Sequence, residues 1–292
     1  MDHLSFNRAI ESIRSDRHSG ASELARRCLS IVAESAHETP ASSATELKQL
    51  LVKQASQLAT IRPSMTPIEN LLNHWRTAVS KLPETELSVM REQAVTAAHD
   101  LIKTSHQAVH RCAALAAEHI GANKTLFTHS LSSTVMDVFE LLSTQGVQAI
   151  ITESRPLNEG YLLAKQLSKW HIPTTLITDA QMGLFITKAD AVLVGADSQL
   201  PDGSLINKAG TYPLALMAQE HDIPFYVCCE SFKHRTESMG TPELETMDVA
   251  ELQIPPLTGV SIQNIYFDIT PAHMISAWFN ENEISQNAQQ HL

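Results

Sequence analysis

Two rhythms of apolar residues divide the chain. Up to about residue 122 the apolar positions recur at helical spacing. In TPIENLLNHWRTAVSKL, Ile68, Leu71, Leu72, Trp75, Val79 and Leu82 fall on one helix face. From about residue 83 to 120, Met90, Ala94, Ala97, Leu101, Ala108, Cys112 and Leu115 keep a four-three alternation, which draws one apolar stripe along a long helix. Gly121-Ala122-Asn123 ends it, as a glycine beyond a helix commonly does. After residue 123 the apolar runs shorten. TLFTHS, VQAIITES, TTLIT, AVLVGAD and IPFYVCCE read as strands, separated by helical stretches at about 132–144, 157–169, 180–187 and 211–221. Nearly continuous apolar strands that alternate with helices predict a parallel sheet covered on both faces. The expected organisation is a helical domain over 1–122, including the long connecting helix, and an α/β domain over 123–292.

Composition narrows the function classes. The 292 residues are 43% hydrophobic and 18% charged, enough apolar content for a packed core. The net charge of −11 argues against a partner that presents a nucleic-acid backbone, which calls for a basic face. No apolar run is long enough to span a bilayer. The first twenty residues carry no apolar signal core, so a cytoplasmic protein is expected. Cys28, Cys112, Cys228 and Cys229 have neither metal spacing nor a disulfide framework, and they read as buried thiols. The 14 histidines include no HExxH pattern, and no metal is expected.

Chemistry gathers at the strand ends. In a parallel sheet, ligands bind outside the carboxyl ends of the strands. Ser130, Glu153 and Asp197 each end a strand and should face one crevice. No GxGxxG follows these strands and no GxxxxGK[ST] occurs, which excludes the standard phosphate loops. Leu200-Pro201-Asp202-Gly203 is a turn signal. Beyond it a helix is expected near Asn207, and its free N–H groups, with Asn207 and Lys208, would cradle an anion. A carboxylate facing such a cradle suits a small phosphorylated polyol. Asp197 could equally cap a turn, and spacing leaves both readings open. Glu153 and Arg155 either bind sugar hydroxyls or pair with each other. Asn158 and Glu159 read as loop-shaping residues that start a helix. His129, on a strand top, reads as structural.

Taken together, GADSQLPDGSLINKAGTYPLA, TESRPLNEG, HDIPFYVCCESFK, FDITP and LFTHS resemble, in the same order along the chain, the superfamily shared by three groups. These are ribose-1,5-bisphosphate isomerases, methylthioribose-1-phosphate isomerases and the alpha, beta and delta subunits of translation initiation factor 2B. SGASELARR and IRPSM match more weakly, so the likeness covers nearly the whole chain. It implies a helical N-terminal domain, a Rossmann-like C-terminal domain with a mainly parallel sheet, and a sugar phosphate or nucleotide bound between them. It also implies a homo-oligomer, most simply a dimer, and no cofactor.

The same resemblance assigns catalysis to a cysteine at the end of the first strand and to the aspartate matching Asp197. Here the cysteine position is Ser130, in Thr128-His129-Ser130. A thiol ionises near pH 8.5, whereas a hydroxyl is a far weaker acid and needs a base beside it. Asp197 and His129 are the candidate bases, and Cys228 a distant substitute for the thiol. The isomerases' N-terminal Arg-Gly-Ala is Ser19-Gly20-Ala21 here, with Arg17 two residues before. Arg62 matches a phosphate-binding arginine of the family, or is a surface residue at a helix end. The CCESFK stretch resembles the initiation-factor branch. The resulting expectation is a binding protein without cysteine-dependent turnover. The alternative is an aldose–ketose isomerase acting on a ribose-1-phosphate-type substrate.

Overall fold

A computed structural model describes residues 3–83, 85–240 and 242–286. Its chain forms two compact units that divide within the longest helix, at Gln107/Ala108, rather than at that helix's end.

The first unit is helical: α1 (His3–Arg14), α2 (Ala21–Glu38), α3 (Ala44–Ala59), α4 (Thr66–Lys81) and the first part of α5 (Leu87–Ile120). The stripe read from the sequence of α4 is its buried face, with Ile68, Leu72, Trp75 and Val79 fully enclosed. Trp75 also needs a polar partner in the core, and its indole N–H donates to the carbonyl of Ala94 on α5 at 2.9 Å. Three carbonyls at the end of α2, of Ala36, His37 and Thr39, receive the guanidinium of Arg91, which closes that helix end.

The second unit is α/β. In chain order it contains β1 (Thr125–Thr128), α6 (Ser133–Leu142), β2 (Gln148–Thr152), α7 (Glu159–Lys169), β3 (Thr174–Ile177), the short α8 (Met182–Phe185) and β4 (Ala191–Val194). Then come β5 (Ser198–Gln199), β6 (Leu205–Lys208), α9 (Thr211–Glu220), β7 (Phe225–Cys228), β8 (Phe267–Thr270), β9 (Ala277–Phe279) and β10 (Ile284–Gln286). Seven strands make the main sheet, in the order β10-β9-β7-β4-β1-β2-β3. All its pairings are parallel except β9–β10. Alternating residues fill two cores. Leu126, Ile151, Leu193 and Phe279 pack with α6, α7 and the last turns of α5. Phe127, Ile150, Val192 and Val227 pack with α8 and α9 on the other face. This double burial is why the strands read as continuous apolar runs.

Strand order reverses between β1 and β4, since β1 leads outward to β2 and β3 while β4 lies on its other side. The crevice of such a sheet opens at that reversal. Ser130 follows β1 and Asp197 follows β4, so both stand at its edges.

A small antiparallel sheet, β5-β6-β8, stands beyond the end of β4. The predicted turn closes the β5–β6 hairpin: Gly203 N–H donates to Leu200 O at 2.9 Å, and Gly203 has φ +81°. Here the structure corrects the sequence reading. Asn207 and Lys208 end strand β6, paired with Asp268 and Phe267 of β8, and do not begin a helix. The helix starts at Thr211, after Gly210 with φ +112°. The hairpin return supplies the strand, and the pairing with β8 comes from sequence 60 residues away, which local pattern does not reveal.

Candidate functional site

The crevice is built on the turn after β1. Ser130 holds a left-handed backbone, φ +68°, unusual for a residue with a side chain. Its N–H donates to Oγ of Ser154 at 2.7 Å, and Ser154 itself has φ +60°. The carboxylate of Asp179 in turn accepts the N–H groups of Ser154 and Arg155, at 2.9 and 2.8 Å. Two successive strand ends are thus tied together, and backbone held in sparsely populated conformations is a mark of functional sites.

His129 supports the same turn. Its Nε2 faces the carbonyl of Ala209 at 2.9 Å, and a carbonyl only accepts, so Nε2 carries the proton. Nδ1 then accepts the hydroxyl of Thr152 at 2.6 Å. Burial lowers its pKa below the usual histidine value, which leaves the ring neutral. With both nitrogens engaged, His129 is not the base for Ser130.

The partner of Ser130 is Glu159. The Ser130 hydroxyl donates to Oε2 of Glu159 at 2.8 Å, and the ammonium of Lys208 lies 2.8 Å from Oε1 of the same carboxylate. Lys208 also sits 4.1 Å above the ring of Tyr266. Glu159 is the first residue of α7, where the helix dipole favours a negative charge. Gly160 lets that helix start close against β2, since a Cβ there would lie 1.8 Å from Thr152 O. The sequence reading gave Glu159 only a loop-shaping part. The signal that was present is the acidic residue followed by glycine directly after a strand end.

Asn207 and Lys208 occupy one edge of the crevice, both buried. The amide of Asn207 donates to Thr211 Oγ1 at 3.0 Å. The helix N-terminus beside them is no vacant anion cradle, because the carboxylate of Asp268 accepts the N–H groups of Gly210 and Tyr212. Asp197, half-buried, follows β4, and its N–H donates to Ile206 O at 3.0 Å. Its charge reaches the buried ammonium of Lys233. That ammonium is 2.6 Å from Glu230, whose other oxygen accepts the hydroxyl of Thr134 on α6. Burial alone would lower the pKa of Lys233. Glu230, with a smaller contribution from Asp197, outweighs it and raises the value. Lys233, the last residue of ESFK, was not singled out from sequence.

Glu153 and Arg155 are not paired. The Arg155 guanidinium donates to Leu252 O at 3.0 Å and is exposed, while Glu153 is half-buried beside the strand end. The cysteines lie away from the turn: Cys228 packs with Cys112 in the core against α5, and Cys229 in the opposite core. Burial pushes the Cys28 thiol up to about 12 and raises Cys229 well above the usual range, and the hydrogen bond with Cys228, together with burial, does the same to Cys112. Among the described residues no group of three or more His, Cys, Asp or Glu side chains could hold a metal ion. No helix among them is long and apolar enough to cross a membrane.

In the first unit, Arg17 and Arg62 converge on one atom. Their Nη1 atoms lie 3.1 and 3.2 Å from the carbonyl oxygen of Asp16. Arg62 is buried rather than on the surface. Arg27 pairs with the Asp16 carboxylate, which also accepts the N–H groups of His18 and Ser19. Gly20 and Ala21 begin α2 directly after this loop, with open space around the Gly20 Cα.

These features coincide with a family match over residues 17–282, to the model described as "Initiation factor 2 subunit family". The chain belongs to this family. A Pyrococcus furiosus member, eIF-2B subunit 2-like, is 32% identical over 279 residues, 93% of each chain. The ribose 1,5-bisphosphate isomerase of Methanocaldococcus jannaschii is 29% identical over 277 residues, covering 93% of this chain and 88% of its own. Among solved structures, the Pyrococcus horikoshii translation initiation factor eIF-2B superposes with a TM-score of 0.84, at 29% identity and 99% coverage of both chains. The initiation factor 2 subunit family therefore spans both an initiation-factor branch and sugar-phosphate isomerases, and the match alone does not choose between them.

Proposed function

We propose that this member of the family binds a sugar phosphate at the crevice between the ends of β1 and β4, as a regulatory ligand and without converting it. The observation that carries this reading is the state of Ser130. It stands where the resemblance expects an acidic thiol, and its hydroxyl is engaged by a carboxylate that already neutralises Lys208. A hydroxyl in that setting is a hydrogen-bonding group for a polyol, not a proton donor of matched strength.

The charges support a polyol in the same place. Glu159 and Asp197 stand with Lys208 at these strand ends, so the crevice sets acceptors for hydroxyls beside a cation, and the Glu230–Lys233 pair is buried behind them. Within the first unit itself, Arg17, Arg62 and the start of α2 at Gly20 and Ala21 group donors suited to an anion. Asn207 adds an amide, and Glu153 and Arg155 border the crevice. A homodimer belongs to the same reading, and light scattering on the purified chain tests it.

A second reading is isomerase activity on ribose 1,5-bisphosphate. It is favoured by the Methanocaldococcus jannaschii relative and by the Asp197, Asn207 and Lys208 set. Phosphorus NMR of ribose 1,5-bisphosphate with the protein, alongside titration calorimetry, separates the two. Binding with an unchanged substrate spectrum is the expected result. Appearance of ribulose 1,5-bisphosphate, abolished by Asp197→Asn, would establish the isomerase instead.

A further inference from the structure

Asp268 is a carboxylate held where a carboxylate is unfavourable. It lies on β8 opposite Asn207, and Oδ2 accepts the N–H groups of Gly210 at 2.7 Å and Tyr212 at 3.1 Å. Oδ1 is buried with no hydrogen-bond partner among the described residues. Burial raises its pKa to about 6 against the opposing effect of the N–H groups of Tyr212, Gly210 and Thr211. A serine or asparagine satisfies a helix start without a buried charge, so capping alone does not account for this residue.

What Asp268 secures is the rim of the crevice. Thr211 Oγ1 receives the Asn207 amide and donates to Lys208 O at 2.6 Å. His129 donates to Ala209 O, and its ring packs so close to Gly210 that a Cβ there would sit 2.7 Å from Nε2. The 209–212 turn is therefore gripped by His129, by Thr211 and by Asp268, and the side chains of Asn207 and Lys208 are carried directly before it. The titratable groups on the surrounding elements are Lys208 on β6, paired with Glu159, and the neutral His129. Tyr212 and Glu220 are on α9, with Tyr266 and His273 flanking β8.

We propose that Asp268 is a positioning residue of the crevice: its carboxylate clamps the 209–212 turn and so sets Asn207 and Lys208. The part of this that concerns ligand rests on the sugar-phosphate reading above.

Hydrogen exchange on the full chain tests it. In the ligand-free protein at pH 7.5, Asp268→Ala, which removes the acceptor, should cost the amides of Gly210 and Tyr212 about tenfold in protection, the scale of a hydrogen bond to a charged group. Should that variant fail to fold, Asp268→Glu, with its carboxylate displaced by one methylene, should show lower protection at pH 7.5. Titration with ribose 1,5-bisphosphate at pH 7.5 should give weaker binding to either variant. Protection unaltered by both substitutions overturns the clamp whatever the ligand does. An intact exchange signature with no ribose 1,5-bisphosphate bound supports the clamp and refutes the sugar-phosphate reading.

Discussion

The hydroxyl of Ser130 is hydrogen-bonded to Glu159, whose second oxygen holds the ammonium of Lys208 at the same distance of 2.8 Å. One carboxylate thus joins the end of β1, the start of α7 and the end of β6. The pairing determines what a serine can do at this position, because its acceptor is an anion already balanced by a cation.

The three groups should behave as one energetic unit. Removing Glu159 leaves the buried Lys208 uncompensated, so Glu159→Ala is expected to lower unfolding stability by about 3 kcal/mol. Ser130→Ala removes one hydrogen bond and should cost about 1 kcal/mol. A double-mutant cycle read by urea unfolding should give a coupling of about 1 kcal/mol between the two sites. Additive effects would mean that the observed contact has no energetic weight.

Restoring the thiol should change what the crevice does. In Ser130→Cys the sulfur occupies the turn with the left-handed backbone, next to Glu159. If the hydroxyl is what silences turnover, this variant converts ribose 1,5-bisphosphate while the unmodified chain only binds it. Phosphorus NMR reads both. An inert Ser130→Cys that still binds ribose 1,5-bisphosphate would show that the hydroxyl is not what withholds turnover, with Glu159 the next residue to vary.

Much of this architecture is written in local pattern. The stripe of α4, the long α5 and the apolar strands β1, β2, β4 and β7 all follow from periodicity, because burial on one or two faces leaves a direct trace in sequence. The strand-end positions of Ser130, Glu153 and Asp197 follow from the same trace. The partners do not. Glu159 meets Ser130 across 29 positions and Lys208 across 49, and Asp268 meets Gly210 across 58. Sheet order brings these together, and nothing in their own neighbourhoods marks it. The misplaced helix start at Asn207 has the same origin, since its pairing partner is β8 and that strand lies beyond β7. Lys233 escaped notice because an ESFK stretch reads as polar loop, whereas its ammonium is buried against Glu230.

Gly160 fixes where Glu159 stands. An added Cβ would meet the carbonyl of Thr152 at 1.8 Å, so α7 must move away from β2. Gly160→Ala should therefore destabilise the chain by about 3 kcal/mol, at the upper end of overpacking, and, on the proposed function, weaken sugar-phosphate binding by shifting Glu159. Gly20→Ala is the contrast, as nothing lies within 4 Å of a Cβ there. It should leave the unfolding midpoint nearly unchanged. Urea melts of the two variants side by side make the comparison.

Asp16 sets the acid limit of the arginine loop. Burial by itself raises its pKa. The N–H groups of Ser19 and His18, with the guanidinium of Arg27, outweigh that and hold it at about 2, below the ordinary value of 3.8. A depressed carboxylate stabilises the folded state fully above its unfolded value and loses that contribution as pH falls through the folded one. The window is therefore pH 4 to 2. The shift corresponds to about 2 kcal/mol before solvent screening and about 1 kcal/mol after it. Urea unfolding at pH 5 and pH 2.5 should show Asp16→Asn less stable than the unmodified chain at pH 5, with the gap narrowing at pH 2.5. Since Arg17 and Arg62 both bond the Asp16 carbonyl, amides over 16–20 should lose exchange protection in the same window. A constant gap between the two proteins across that range would show that the charge on Asp16 does not hold the loop.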